Sequence, residues 1–132
     1  MVQNERVSWD VDLQQSERGV SFFKNTIVRL LISVNVFLIL ASFMVLGFVI
    51  RSTKGLFILH YNVYFGVEIQ GLWWQTFIIP TASIFFLWGH LLLARHFYAQ
   101  RERIAAYLML LGSCLISIGI LIASSSIAFI NY

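Results

Sequence analysis

The sequence predicts an all-α membrane protein: a bundle of three transmembrane helices with a β-hairpin or extended segment in the loop between the first two. Three observations predict it. Only 11% of the 132 residues are charged and 59% are hydrophobic, against roughly 25% charged and 45 to 50% apolar in soluble domains. Lys, Arg, Asp and Glu are absent from Leu30 to Ile50, from Leu72 to Ala94 and from Ile104 to Ile130, runs of 21, 23 and 27 residues, and about 20 apolar residues cross a bilayer core. Between the first two runs the pattern changes to alternation, with every odd position apolar (Phe57, Leu59, Tyr61, Val63, Phe65, Val67 and Ile69) and most even positions polar or without a side chain (His60, Asn62, Gly66 and Glu68). A period of two is a strand signal.

Residues 1–26 form a tail. It is polar and charged, and its segment "VSWDVDL" alternates briefly, which fits a short strand, a surface-lying segment or a disordered tail. The first helix is expected over 27–50. It starts too deep in the chain and runs too long for the h-region of a cleavable signal peptide, so an uncleaved signal anchor is expected. Asn35 and Ser42 lie seven apart in it, which returns to nearly one side of a helix. The outer loop occupies 51–71.

The second helix is expected over 72–94, with Thr76, Ser83 and His90 at the same spacing. Pro80 falls within this run and predicts a kink, because it removes a backbone hydrogen bond; Thr76, four residues earlier, is placed to satisfy the freed carbonyl. Residues 95–103, "RHFYAQRER" from Arg95, contain no Gly or Pro and predict a tight turn between antiparallel helices. The third helix is expected over 104–130, with Ser113, Ser117, Ser124 and Ala128 on one face and Gly112, Gly119 and Ala123 widening it, and 131–132 end the chain outside. Small and hydroxyl-bearing residues in such stripes let helices approach and bond across. The packing residues are therefore Asn35, Ser42, Thr76, Ser83, His90, Ser113, Ser117, Gly119, Ala123 and Ser124.

Charge sets the expected orientation. Arg6, Arg18, Lys24, Arg29, Arg95, Arg101 and Arg103 fall on the side of the tail and the second connection, with only Arg51 and Lys54 on the other. The positive-inside rule puts the N-terminus in the cytoplasm and the C-terminus outside, in a bacterial cytoplasmic membrane. The net charge of +3 belongs to these flanks, so nucleic acid is not an expected partner.

The outer loop is the expected partner-binding element, through Phe57, Leu59, His60, Tyr61, Phe65, Val67, Glu68 and Ile69. To keep its apolar residues on one face of an antiparallel hairpin, odd-numbered residues must pair with odd, which needs an odd-numbered turn around Asn62 to Tyr64, with Asn62 in the left-handed conformation. His60 and Glu68 would then face outward.

Catalytic and metal motifs are missing. No two of His60, His90, His96 and Cys114 stand three or four apart, as helical zinc ligands do. Cys114 has no intrachain partner and reads as a small core residue. His90 is a helix-packing residue on the first reading. The alternative makes it a haem b ligand or quinone contact at a subunit interface, in a membrane anchor for a redox complex.

The stretch "ILHYNVYFGVEIQG" from Ile58, set between the first two of three apolar runs, resembles small bacterial three-span integral membrane proteins of uncharacterised activity. The resemblance implies a fold and no activity. The expected function is non-enzymatic and without cofactor: an accessory or assembly subunit that sits in the lipid bilayer, packs with other membrane subunits or with itself, and presents its outer loop. A redox anchor and an oligomeric channel or transporter are the alternatives.

Overall fold

The computed structural model describes residues 21–50 and 55–132. The alternating tail segment and the basic residues Arg51 and Lys54 lie outside the described residues. Among the described residues, three helices are long and apolar enough to cross a membrane. They are α1 (Thr26–Val49), α2 (Ile78–Ala99) and α3 (Arg103–Ile130), with strands β1 (Phe57–Asn62) and β2 (Gly66–Gly71) between α1 and α2.

Each boundary has a local cause. Asn25 caps α1, its Oδ1 accepting from Ile27 N–H at 2.9 Å and Val28 N–H at 3.4 Å, which satisfies donors left over at a helix start. The second span does not begin as an α-helix. Residues Trp73–Phe77 form a 3-10 turn that leads into α2, and Gln75 Oε1 accepts from Leu72 N–H at 2.8 Å to close it.

Pro80 consequently occupies the first turn of α2, where no intrahelical partner awaits its missing N–H. The expected mid-span kink is therefore corrected to a change of helix type before the proline. The Thr76 hydroxyl donates to the Trp73 carbonyl at 2.6 Å. At the other end, α2 runs past Ala94 to Ala99, and Arg101 makes the turn into α3 in the left-handed region at φ 66°. A cation does here what glycine does in most such turns.

The third helix is central. α1 and α2 each pack along α3 and meet one another at few points, so the stripes meet along two seams on one helix. Near the interhelical turn the core is Phe22, Val28, Ala94, Ala106 and Leu110; near the hairpin it is Leu46, Ile50, Ile127 and Ala128, with Phe57 and Phe77 against it. Asn25 also ties the first of these ends together, its Nδ2 donating to the Tyr107 hydroxyl of α3 at 2.7 Å and the Tyr98 hydroxyl of α2 at 3.2 Å.

The strands pair antiparallel with Phe57 opposite Gly71, Tyr61 opposite Val67 and Asn62 opposite Gly66. Val63, Tyr64 and Phe65 form the turn, so the odd parity is present. Two details differ from expectation. Gly66, at φ 80°, takes the left-handed conformation, because it has no Cβ to clash there. Asn62 instead accepts the Tyr64 N–H at 2.9 Å through Oδ1, an Asx turn. In addition, a bulge sets Ile69 opposite His60, which breaks the clean division into one apolar and one polar face.

Candidate functional site: a hairpin clamped on a three-helix bundle

A two-stranded hairpin alone is marginal in water, and the bundle supplies what it lacks. Asn131, just beyond the end of α3, accepts the Ile58 N–H through Oδ1 at 2.8 Å and donates from Nδ2 to the Ile58 carbonyl at 2.7 Å. A neighbouring strand would make the same two bonds. The amide therefore closes the free edge of β1 at Ile58, and it also donates to the Ile127 carbonyl at 2.9 Å, capping α3. Nothing in the hydrophobic pattern marks Asn131. Its position at the end of a long apolar run, where orphan carbonyls gather, is the only signal.

Gly71 is the second fastening. It is buried, and a Cβ there would collide with Gln75 Oε1 and come within 2.6 Å of Leu59 Cδ1. Strand and 3-10 turn meet closely because that residue is glycine.

The rest of the hairpin is open. Tyr61, Val67 and Ile69 are exposed, and the turn residues Val63, Tyr64 and Phe65 are 84%, 91% and 82% exposed. Phe57 and Leu59 are half-buried against the bundle. Of the residues expected to bind a partner, these two contribute to the hairpin's attachment, while Tyr61, Phe65, Val67 and Ile69 remain uncovered. His60 Nε2 stands 3.2 Å from Glu68 Oε2, and Glu68 Oε1 accepts from Asn62 Nδ2 at 3.0 Å. As an exposed pair this contributes at most about 0.2 to 1 kcal/mol.

The stripes within the helices form a second constellation. Asn35 is fully buried; its Oδ1 accepts from the hydroxyls of Ser113 and Ser117, each at 3.0 Å, and its Nδ2 donates to Leu31 O at 3.0 Å and Cys114 Sγ at 2.9 Å. One side chain thus joins α1 to α3 with its polar atoms engaged, each interhelical bond being worth ~0.6 to 2 kcal/mol. Ser42, Thr76, Ser83 and Ser124 are buried as well. Ser124 Oγ alone has no hydrogen-bond partner among the buried side chains described.

Gly119 is a correction. It is exposed, with open space where a Cβ would stand, because it lies about 200° around the helix from Ser117. Ala123, on the Gly119 side, is half-buried near the hairpin.

The structure keeps the histidines apart. His90 is half-buried, its Nδ1 is 2.8 Å from the Phe86 carbonyl and its ring lies beside Gly112 of α3. His96 is exposed and meets Gln100 at 3.1 Å. His60 belongs to the hairpin. Among the described residues, no three His, Cys, Asp or Glu side chains gather as a ligand set. Compared with known protein families, characterised proteins and solved structures, the chain matches none.

Proposed function

We propose that this chain is a non-enzymatic accessory subunit of a membrane assembly, N-terminus in the cytoplasm, that presents its hairpin on the outer side to a partner protein. The reading is supported above all by one observation: the hairpin is fixed to the bundle at Ile58 and Gly71, while an apolar tip of Val63, Tyr64 and Phe65 is left uncovered. A rigid mount with an exposed aromatic tip is the anatomy of an interface anchor, where a few large side chains carry most of the binding energy. The self-satisfied Asn35 network supports a packing role for the interior, since its polar atoms are spent on helix association and do not line a path.

Single cysteines at His60, Phe65, Val67 and Glu68 test the reading with an impermeant maleimide. In intact cells positions 60 and 68 should react and positions 65 and 67 should be protected. In vesicles holding the purified protein alone, all four should react. Protection at 65 and 67 in those vesicles would mean that lipid covers the tip, and reaction of all four in cells would mean that nothing does; either result removes the partner.

A further inference from the structure

The end of α3 nearest the hairpin is flanked by a cleft that β1 roofs over. One part, of about 290 Å³, lies between Leu59 and Tyr61 of β1, Ile79 of α2, and Ala123, Ser126 and Ile130 of α3. It continues past Leu59, His60 and Ile79 into a second part of about 390 Å³ that reaches Gln75 and Ile78. From Ser126 and Ile130 a shallower groove follows the surface of α3 down to Leu121. Ala123 and Ile130 are two turns apart, so the cleft descends about 10 Å along the helix.

Its chemistry is more apolar than its composition suggests. The Ser126 hydroxyl donates to Ile122 O at 2.9 Å and the Ser125 hydroxyl to Leu121 O at 2.8 Å. Both serines are thereby small and polar in name, and neither offers a free donor to the groove. Polarity is confined to the mouth. There Gln75 Oε1 is taken by Leu72 N–H and His60 Nε2 by Glu68, which leaves the Gln75 amide N–H groups as donors for a further polar group.

The roof decides between occupants. β1 is bonded to Asn131 beyond the end of α3, so a partner helix lying in the cleft and continuing outward along α3 would run into the hairpin. A flexible chain that ends beneath the roof meets no such obstacle. The geometry points to a binding site for one hydrocarbon chain of an outer-leaflet phospholipid, held between α2 and α3 under the hairpin, with its ester oxygens at the Gln75 amide. This rests on the reading of the three helices as membrane spans, in which the lower mouth opens at hydrocarbon depth.

The test uses the full chain in phosphatidylcholine vesicles that carry a small fraction of phospholipid with a diazirine near the end of one acyl chain. After photolysis, adducts are mapped by peptide mass spectrometry. The exposed α1 residues Phe37 and Leu40 serve as the reference for ordinary lipid contact. Adducts at Ile79, Ala123 and Ser126 should exceed that reference, and Ala123→Phe, which fills the floor, should lower them about tenfold with the α1 adducts unchanged. Cleft labelling no higher than the α1 reference overturns the proposal while leaving the membrane reading intact. Absence of adducts on α1 as well overturns both. Should Ala123→Phe lose its helical circular dichroism, the wild-type ratio of cleft to α1 labelling decides alone.

Discussion

At one end of the bundle Asn25 caps α1 and reaches Tyr98 and Tyr107; at the other Asn131 caps α3 and holds Ile58. The same side chain does the same double task at both ends, satisfying helix-end groups and binding a neighbouring element. What surrounds it differs. Beside Asn25, Phe22 is buried and packs edge-on to Tyr98 with ring centroids 5.3 Å apart, and Arg103 lies over the same ring. Beside Asn131, the hairpin is fastened at its base and exposed at its tip. One end closes the bundle, and the other is built to hold something still while leaving it uncovered. Rigidity without burial costs stability unless another surface completes it, which is why the hairpin end carries the functional proposal.

The comparison breaks most visibly at Asn25. Asn25→Ala removes a cap, worth ~1 kcal/mol, and two hydrogen bonds that cross to α2 and α3, worth about 1 kcal/mol each. A loss of roughly 2 to 4 kcal/mol in unfolding free energy by denaturant titration in detergent is expected. If Asn25→Ala costs no more than a surface substitution, the closed end owes its cohesion to the aromatic packing alone.

Asn131→Ala should act locally. The bundle keeps its cores, while Ile58 loses both edge bonds and α3 a cap, roughly 2 to 3 kcal/mol in all. Amide hydrogen exchange should therefore rise across residues 57–71 with little change in α1. Gly71→Ala should loosen the same segment, since its Cβ meets Gln75 and Leu59. Exchange that rises equally in the helices would show that the hairpin is part of the bundle's cooperative unit and would erase the difference between the ends.

The helices were legible because missing charges need no tertiary information, and the hairpin because alternation and parity are local properties. Other features depend on which neighbour a residue meets. Asn62 and Gly66 both tolerate the left-handed region, and only the turn geometry assigns it to Gly66. Ser117 and Gly119 look alike as small residues in an apolar run, yet one bonds Asn35 and the other is exposed. The central place of α3 was hidden because all three helices carry a seven-residue stripe. Asn131 was missed because a single amide at the end of a run has no period.

Arg101 provides a smaller effect of opposite sign at the closed end. It holds φ 66° as a non-glycine residue and is exposed, a conformation that costs an L-residue roughly 1 kcal/mol relative to glycine. Arg101→Gly should therefore raise stability by up to about 1 kcal/mol, less the entropy that glycine adds to the unfolded chain. A loss of stability would show that the arginine side chain does more for the turn than its backbone costs.

The smallest effect on folding is expected where the effect on assembly should be greatest. Tyr64 and Phe65 are 91% and 82% exposed, and neither is needed for the turn, which rests on the Asn62 side chain and Gly66. Tyr64→Ser and Phe65→Ser should leave unfolding free energy within about 0.5 kcal/mol of wild type. The same changes remove aromatic anchors from the proposed interface, and truncating such an anchor weakens binding by ~2 kcal/mol or more. Blue-native electrophoresis of membranes solubilised in mild detergent reads this directly: the tip variants should migrate as a smaller species than wild type, while Asn25→Ala should lower the amount of folded protein before it alters complex size. Tip variants that retain the wild-type complex would move the interface away from the hairpin and leave the open end as a stability cost without the compensation that its rigid mount implies.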